Sequence, residues 1–149
     1  MTMPPMTDGV TKSGSSIDGI AWNILGQTYK PLHRTESSFS WHALFPPGTF
    51  VPPHIHPTQD EFIYVLAGRF ELMLDGRDAH AGTGDLIRLP RNVPHGIFNK
   101  SAGDVTCLFW VSPARALWAL FEKINNVPDP AEVVRLAAQH EVNFLPPSA

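Results

Sequence analysis

His54, His56, Glu61 and His95 have the types and spacing of a metal centre. His54 and His56 are two apart, so on an extended strand both imidazoles project from one face. Glu61 lies five residues beyond His56, an odd offset that would turn it to the opposite face of an unbroken strand. The intervening Pro57-Thr58-Gln59-Asp60 removes that objection, because proline and the polar residues after it can bend or bulge the chain. Glu61, Ile63 and Val65 then share a face, with Asp60 on the other, leaving Asp60 as the lesser alternative carboxylate. Two imidazoles, a carboxylate and a distant third imidazole form a nitrogen and oxygen donor set for one divalent transition-metal ion. Fe, Mn, Ni, Cu, Co and Zn all accept such ligands, so the donors do not choose among them. A lone Cys107 rules out a thiolate-rich zinc site and fits a reduced compartment.

The residues that must hold these donors alternate in short apolar runs, broken by Gly, Pro and Asp every few positions from Ile20 to Val111. That pattern is all-β, a sandwich or barrel. Strands are expected over Ala21–Tyr29, Ser38–Phe45, Val51–His56, Glu61–Ala67, Arg69–Leu74, Asp85–Leu89, His95–Asn99 and Val105–Val111. Ala67-Gly68-Arg69 and Asp75-Gly76 mark hairpins. Pro90-Arg91-Asn92-Val93-Pro94 cannot continue a central strand, so it forms the turn that delivers His95. Two short helices follow within about residues 112–141. Ser112 and Pro113 read as the cap and first residue of one, with Leu117, Leu120, Phe121 and Ile124 as its apolar stripe. Asp129, Pro130 and Glu132 read as a box-like cap of the other, with Val133, Leu136, Ala137 and His140 buried. These helices are expected to cover one opening or flank of the barrel. Residues 1–18 read as a flexible tail, and 19–149 as a single domain.

Net charge of -3 gives no reason to expect nucleic acid or an anionic membrane as partner. No run approaches the roughly 18 apolar residues of a membrane span. The first residues lack a secretory signal's basic start and apolar run, so the expected location is the cytoplasm.

Two stretches carry a family resemblance. Gly48-x5-His54-x-His56-x4-Glu61-x6-Gly68 fits the first signature of the cupins. Gly84-x5-Pro90-x-Asn92-x2-His95-x3-Asn99 fits the second, with Asn92 where that signature has glycine. Nine of the ten fixed positions are met in order, with fifteen residues, 69 to 83, between the signatures. Asn92 is a mild departure, since Asn tolerates a positive φ better than most residues. The Ser112-Pro113 helix and the ending Val142-Asn143-Phe144-Leu145-Pro146-Pro147 also resemble small single-domain proteins described as quercetin dioxygenase-like. The resemblance implies a cupin jelly-roll β-barrel, or double-stranded β-helix. It implies a metal held by His54, His56, Glu61 and His95, with substrate entering at the same mouth. It further implies a homodimer, for which Ala21–Leu32 is the candidate exchanged segment.

Three imidazoles and one carboxylate leave one or two positions open on an octahedral-leaning ion. A substrate oxygen, and for a redox-active ion dioxygen, can take them. The expected function is a metal-dependent, dioxygenase-like oxidoreductase acting on a small enolic, catecholic or flavonol-like compound. Glu61 would serve as both ligand and proton-accepting catalytic base. The alternatives are a non-redox isomerase, cyclase or lyase, and a non-enzymatic small-ligand-binding protein. His42 is a structural or surface residue before it is a cavity acid or base, while Asn99 reads equally as a substrate contact or a turn residue. Ile63, Phe98, Phe109 and Trp110 are pocket or core, and His33, His80 and His140 have no expected role.

Overall fold

The computed structural model describes residues 5–146. Met1–Pro4, the start of the expected tail, and Pro147–Ala149 lie outside them. Residues 5–16 form no helix or strand, and Thr11 donates to the Leu32 carbonyl at 3.2 Å. Ile17–Gly19 make a single 3-10 turn, with Ile17 packed against the core.

Ten strands precede the helices: β1 Trp22–Ile24, β2 Gln27–Arg34, β3 Phe39–Phe45, β4 Phe50–Ile55, β5 Asp60–Ala67, β6 Arg69–Leu74, β7 Arg77–Gly82, β8 Leu86–Leu89, β9 His95–Phe98 and β10 Val105–Ser112. Helices α1 Leu117–Ile124 and α2 Pro130–Ala138 follow, then β11 Asn143–Phe144. Six strands form one sheet in the order β1-β2-β3-β10-β5-β8, and five form the other in the order β11-β4-β9-β6-β7. Every pairing is antiparallel. The inward faces follow the strict alternation of a half-buried strand. Phe39, Trp41, Ala43 and Phe45 of β3 and Val105, Cys107, Phe109 and Val111 of β10 are buried, with their intervening neighbours turned outward or partly exposed. Much of the core is aromatic, as in the stack of Trp41 on Phe109 at 5.1 Å.

The expected single strand over Ala21–Tyr29 is a hairpin. Leu25 and Gly26 both take positive φ, 53° and 85°, closing the two-residue turn between β1 and β2. Asp75-Gly76 turns as expected, but its second arm, β7, was absent from the expected strands because it is a polar edge with only Ala81 buried. Gly68 cannot be replaced without movement. Its φ is 100°, and an added Cβ would meet the Asp104 carbonyl oxygen at 3.0 Å.

Helix α1 begins five residues later than Ser112. Ser112 stays in the β10 ladder opposite Asp60, and its hydroxyl donates to the Ser37 carbonyl at 3.0 Å instead of capping a helix. Asp129 does cap α2, accepting from the Ala131 amide at 3.0 Å, with Pro130 as the first helical residue. Glu132 closes no box; it binds Arg135 at 2.9 Å. The expected apolar stripe of α1 is buried and lies across the barrel interior, with Phe121 against Trp22, Tyr29, Phe39 and Trp41. No described helix is long and apolar enough to cross a membrane.

Candidate metal centre

The Pro52-Pro53 pair of β4 lacks backbone N–H groups, and the β4–β9 register shifts there, between Val51 and His54. Pairing resumes with His54 opposite His95, the first residue of β9. Pro94 ends the turn before it, and Asn92 has φ 69°, so the non-glycine residue does adopt the left-handed conformation. The Asn92 amide donates to the His56 carbonyl at 3.0 Å, fixing this turn against the residue that follows β4. The chain bends through Pro57 and Thr58, and Glu61 enters from β5 on the face it shares with Ile63 and Val65.

These elements bring His54, His56, Glu61 and His95 together, all buried, with one donor atom from each within 4.8 Å of the others. His95 Nε2 lies 3.0 Å from Glu61 Oε2, and His56 Nε2 lies 3.6 Å from the same oxygen. Each imidazole also has its Nδ1 against an acceptor oxygen: Pro52 O at 2.8 Å from His54, Gln59 Oε1 at 3.0 Å from His56, and Val93 O at 3.1 Å from His95. An Nδ1–H so engaged leaves Nε2 as the atom presented to the interior, the arrangement a metal-ligating histidine needs. Burial pushes the His54 imidazole well below its ordinary value, reinforced by His95 and His56, and burial lowers His56 likewise. Burial pushes the Glu61 carboxyl up, but the pull of His56, the hydrogen bond from His95 and the nearness of His54 outweigh it and hold it at about 2. Two neutral-favouring imidazoles and an ionised carboxylate are the protonation states a divalent cation requires. The four residues fit such an ion.

Asp60 is not part of the cluster. It is turned outward and accepts from the Arg91 amide at 2.9 Å. His42 faces away from the barrel interior, between the buried Trp41 and Ala43 and opposite Lys30 and Leu108, so it is no cavity acid or base. Asn99 is a turn residue: its amide donates to Phe45 O at 2.8 Å and Gly103 O at 2.9 Å, while its oxygen accepts from Ser101. Phe109 and Ile63 point inward. Phe98 and Trp110 stack on the outside, against Phe50 and Phe62. Of the other histidines, His33 bonds Ser38 and Ser40, and His140 bonds the Leu136 carbonyl at 2.7 Å.

His54, His56 and Glu61 open onto a cavity of about 50 Å³. Its walls include Tyr29, Trp41 and Phe109 from the barrel, Leu120 and Phe121 from α1, and Phe144 from β11. No lysine or arginine lines it. The Tyr29 hydroxyl is occupied, donating to Gln27 Oε1 at 2.7 Å. The buried indole N–H of Trp41 has no acceptor among the described residues. Tyr29, Trp41 and Gln59 were not expected at the site. For the two aromatics, the alternation that places Trp41 and Tyr29 inward was the available signal.

Residues 41–111 match the family model described as the Cupin domain. The fold is a cupin jelly roll. Over 77 residues the chain is 31% identical to "Polyketide synthase CurC" of Streptomyces cyaneus, covering 52% of this chain and 50% of that protein. Over 72 residues it is 35% identical to "Pectin degradation protein KdgF" of Dickeya dadantii, covering 48% of this chain and 64% of that protein. The chain thus spans half to just under two thirds of the curated relatives it matches. The cupin barrel also superposes on the solved KdgF of Halomonas sp. with a TM-score of 0.62 and 24% identity, over 72% of this chain and 99% of that one.

Proposed function

We propose that this cupin is a metal-dependent oxygenase of a small, uncharged enolic, catecholic or flavonol-like compound. One observation carries the reading: three of the four donors, His54, His56 and Glu61, open onto a wall that is apolar and aromatic, without a cation. A redox-active divalent ion held by His54, His56, Glu61 and His95 would supply positions for oxygen donors and an electron path. The chain's own residues then set what enters. Pectin-derived sugars are polyhydroxylated, and the apolar wall leaves most of those hydroxyls without a hydrogen-bonding partner, which is costly. An aromatic enol or phenol of the polyketide kind meets matching surface instead, and the name of the Streptomyces cyaneus relative points the same way. Trp41 offers a free N–H to an oxygen of such a compound. Glu61, the carboxylate at the cavity, takes the substrate hydroxyl proton.

The test is oxygen uptake by protein loaded in turn with Fe(II), Mn(II), Ni(II), Cu(II), Co(II) or Zn(II), given catechol, a flavonol or a β-dicarbonyl. Consumption with a redox-active ion, lost in His54→Ala/His56→Ala, supports the proposal. Turnover retained with zinc and without oxygen selects a non-redox isomerase, cyclase or lyase instead. Spectra unchanged by every compound under anaerobic conditions, with no uptake in air, overturn it.

A further inference from the structure

Gln59 is 2% exposed and bonds in two directions. Its Oε1 accepts from His56 Nδ1 at 3.0 Å. Its Nε2 donates to Pro113 O at 3.0 Å and to Ala114 O at 2.7 Å, in the segment that joins β10 to α1. Both carbonyls can only accept, so they determine which end of the amide carries nitrogen. The oxygen is left for His56, whose Nδ1 must then hold the proton, and whose Nε2 lone pair faces Glu61. Release of the Pro113–Ala114 segment would free the amide to turn over and remove that constraint.

We infer that Gln59 is a positioning residue that ties the ligating tautomer of His56 to the closed position of α1 and α2. Metal occupancy and helix closure therefore stabilise one another, and the coupling is reciprocal. The inference rests on the four donors binding a divalent ion, so the first measurement isolates that premise.

Cobalt(II) is titrated into the metal-free protein, with binding read by chelator competition and absorbance. Hydrogen exchange of the amides in Leu117–Ile124 and Pro130–Ala138 is followed with and without cobalt. The wild type binds cobalt, and exchange in both helices slows tenfold or more, while β7 on the far edge is unchanged. Gln59→Met keeps the bulk but neither bond; its cobalt affinity falls 10- to 100-fold and the slowing disappears at saturation. Asn125→Ala removes the acceptor of the Asn23 amide, a 2.8 Å tie at the end of α1 remote from the donors. It weakens cobalt binding several-fold in the wild type, and not further in Gln59→Met. No cobalt binding by the wild type overturns the metal reading and this inference with it. Binding without slowing, wild-type affinity in Gln59→Met, or an equal Asn125→Ala effect in both backgrounds overturns this inference alone. If Gln59→Met does not fold, wild-type exchange and Asn125→Ala still decide.

Discussion

Phe121→Ala tests whether the helices close the cavity in solution. Phe121 is 6% exposed and meets four other rings: Trp41 at 5.0 Å and Tyr29 at 5.2 Å edge-on, with Trp22 at 5.6 Å and Phe39 at 6.0 Å. Removing a buried phenylalanine costs about 3–5 kcal/mol from lost transfer and the cavity left behind. Its two edge-on ring contacts place this site in the upper part of that range, at about 4–5 kcal/mol. In a chain of this length each kcal/mol moves Tm by about 2–4 °C, so a fall of roughly 8–20 °C is expected. Urea unfolding of the metal-free protein, followed by far-UV circular dichroism and checked by calorimetry, gives the number. The new void also joins the existing cavity, so indole should raise the Tm of the variant and leave the wild type unmoved. A loss under about 1 kcal/mol would refute the packing, since only a solvated ring can be removed so cheaply.

Two pH dependences follow from buried groups. Burial lowers His54 and His56 in the folded state, so below their ordinary value of 6.5 the unfolded chain takes up protons that the folded chain refuses. Stability of the metal-free protein is therefore intact above pH 6.5 and falls as pH drops below it; a flat Tm from pH 8 to 5 contradicts this. Burial raises Cys107 and Tyr29, so above 9.0 and 10.0 the unfolded chain releases protons that the folded chain keeps. Stability is present below pH 9 and declines toward 11, and Cys107 should react with a thiol reagent only as fast as the protein unfolds.

The donors were legible because their information is local. The two-residue offset of His54 and His56 and the turn prolines before His95 state their geometry in the sequence itself. Gln59 was not legible in that way. It sits in the bend between His56 and Glu61, and its partners Pro113 and Ala114 are 54 and 55 residues away. Leu25-Gly26 hid a turn because leucine rarely takes positive φ, and β7 hid a strand because an exposed edge needs no apolar face. The outward placement of Trp110 and His42 is legible in the alternation: each adjoins a buried aromatic, Phe109 or Trp41, and adjacent strand residues face opposite ways.

The size of the cavity decides what the helices must do. About 50 Å³ holds roughly three to five waters, far below the several hundred Å³ of ordinary ligand sites. An aromatic enol cannot enter while α1 and α2 lie as they do. The barrel wall resists widening, since β10 pairs with β3 from Val105 to Val111 and with β5 from Cys107 to Ser112. The helices have fewer ties: the Gln59 bonds to Pro113 and Ala114, the bonds of Asn23 with Asn125 and Asn126, the Arg115–Glu141 pair and the two-residue β11 on β4. Beyond these, what resists opening is the apolar contact of α1 with the rings beneath it. If the substrate is the aromatic enol proposed above, its ring would take the place of Phe121 against Trp41 and Tyr29, and a polar compound, unable to replace that contact, would leave the helices shut.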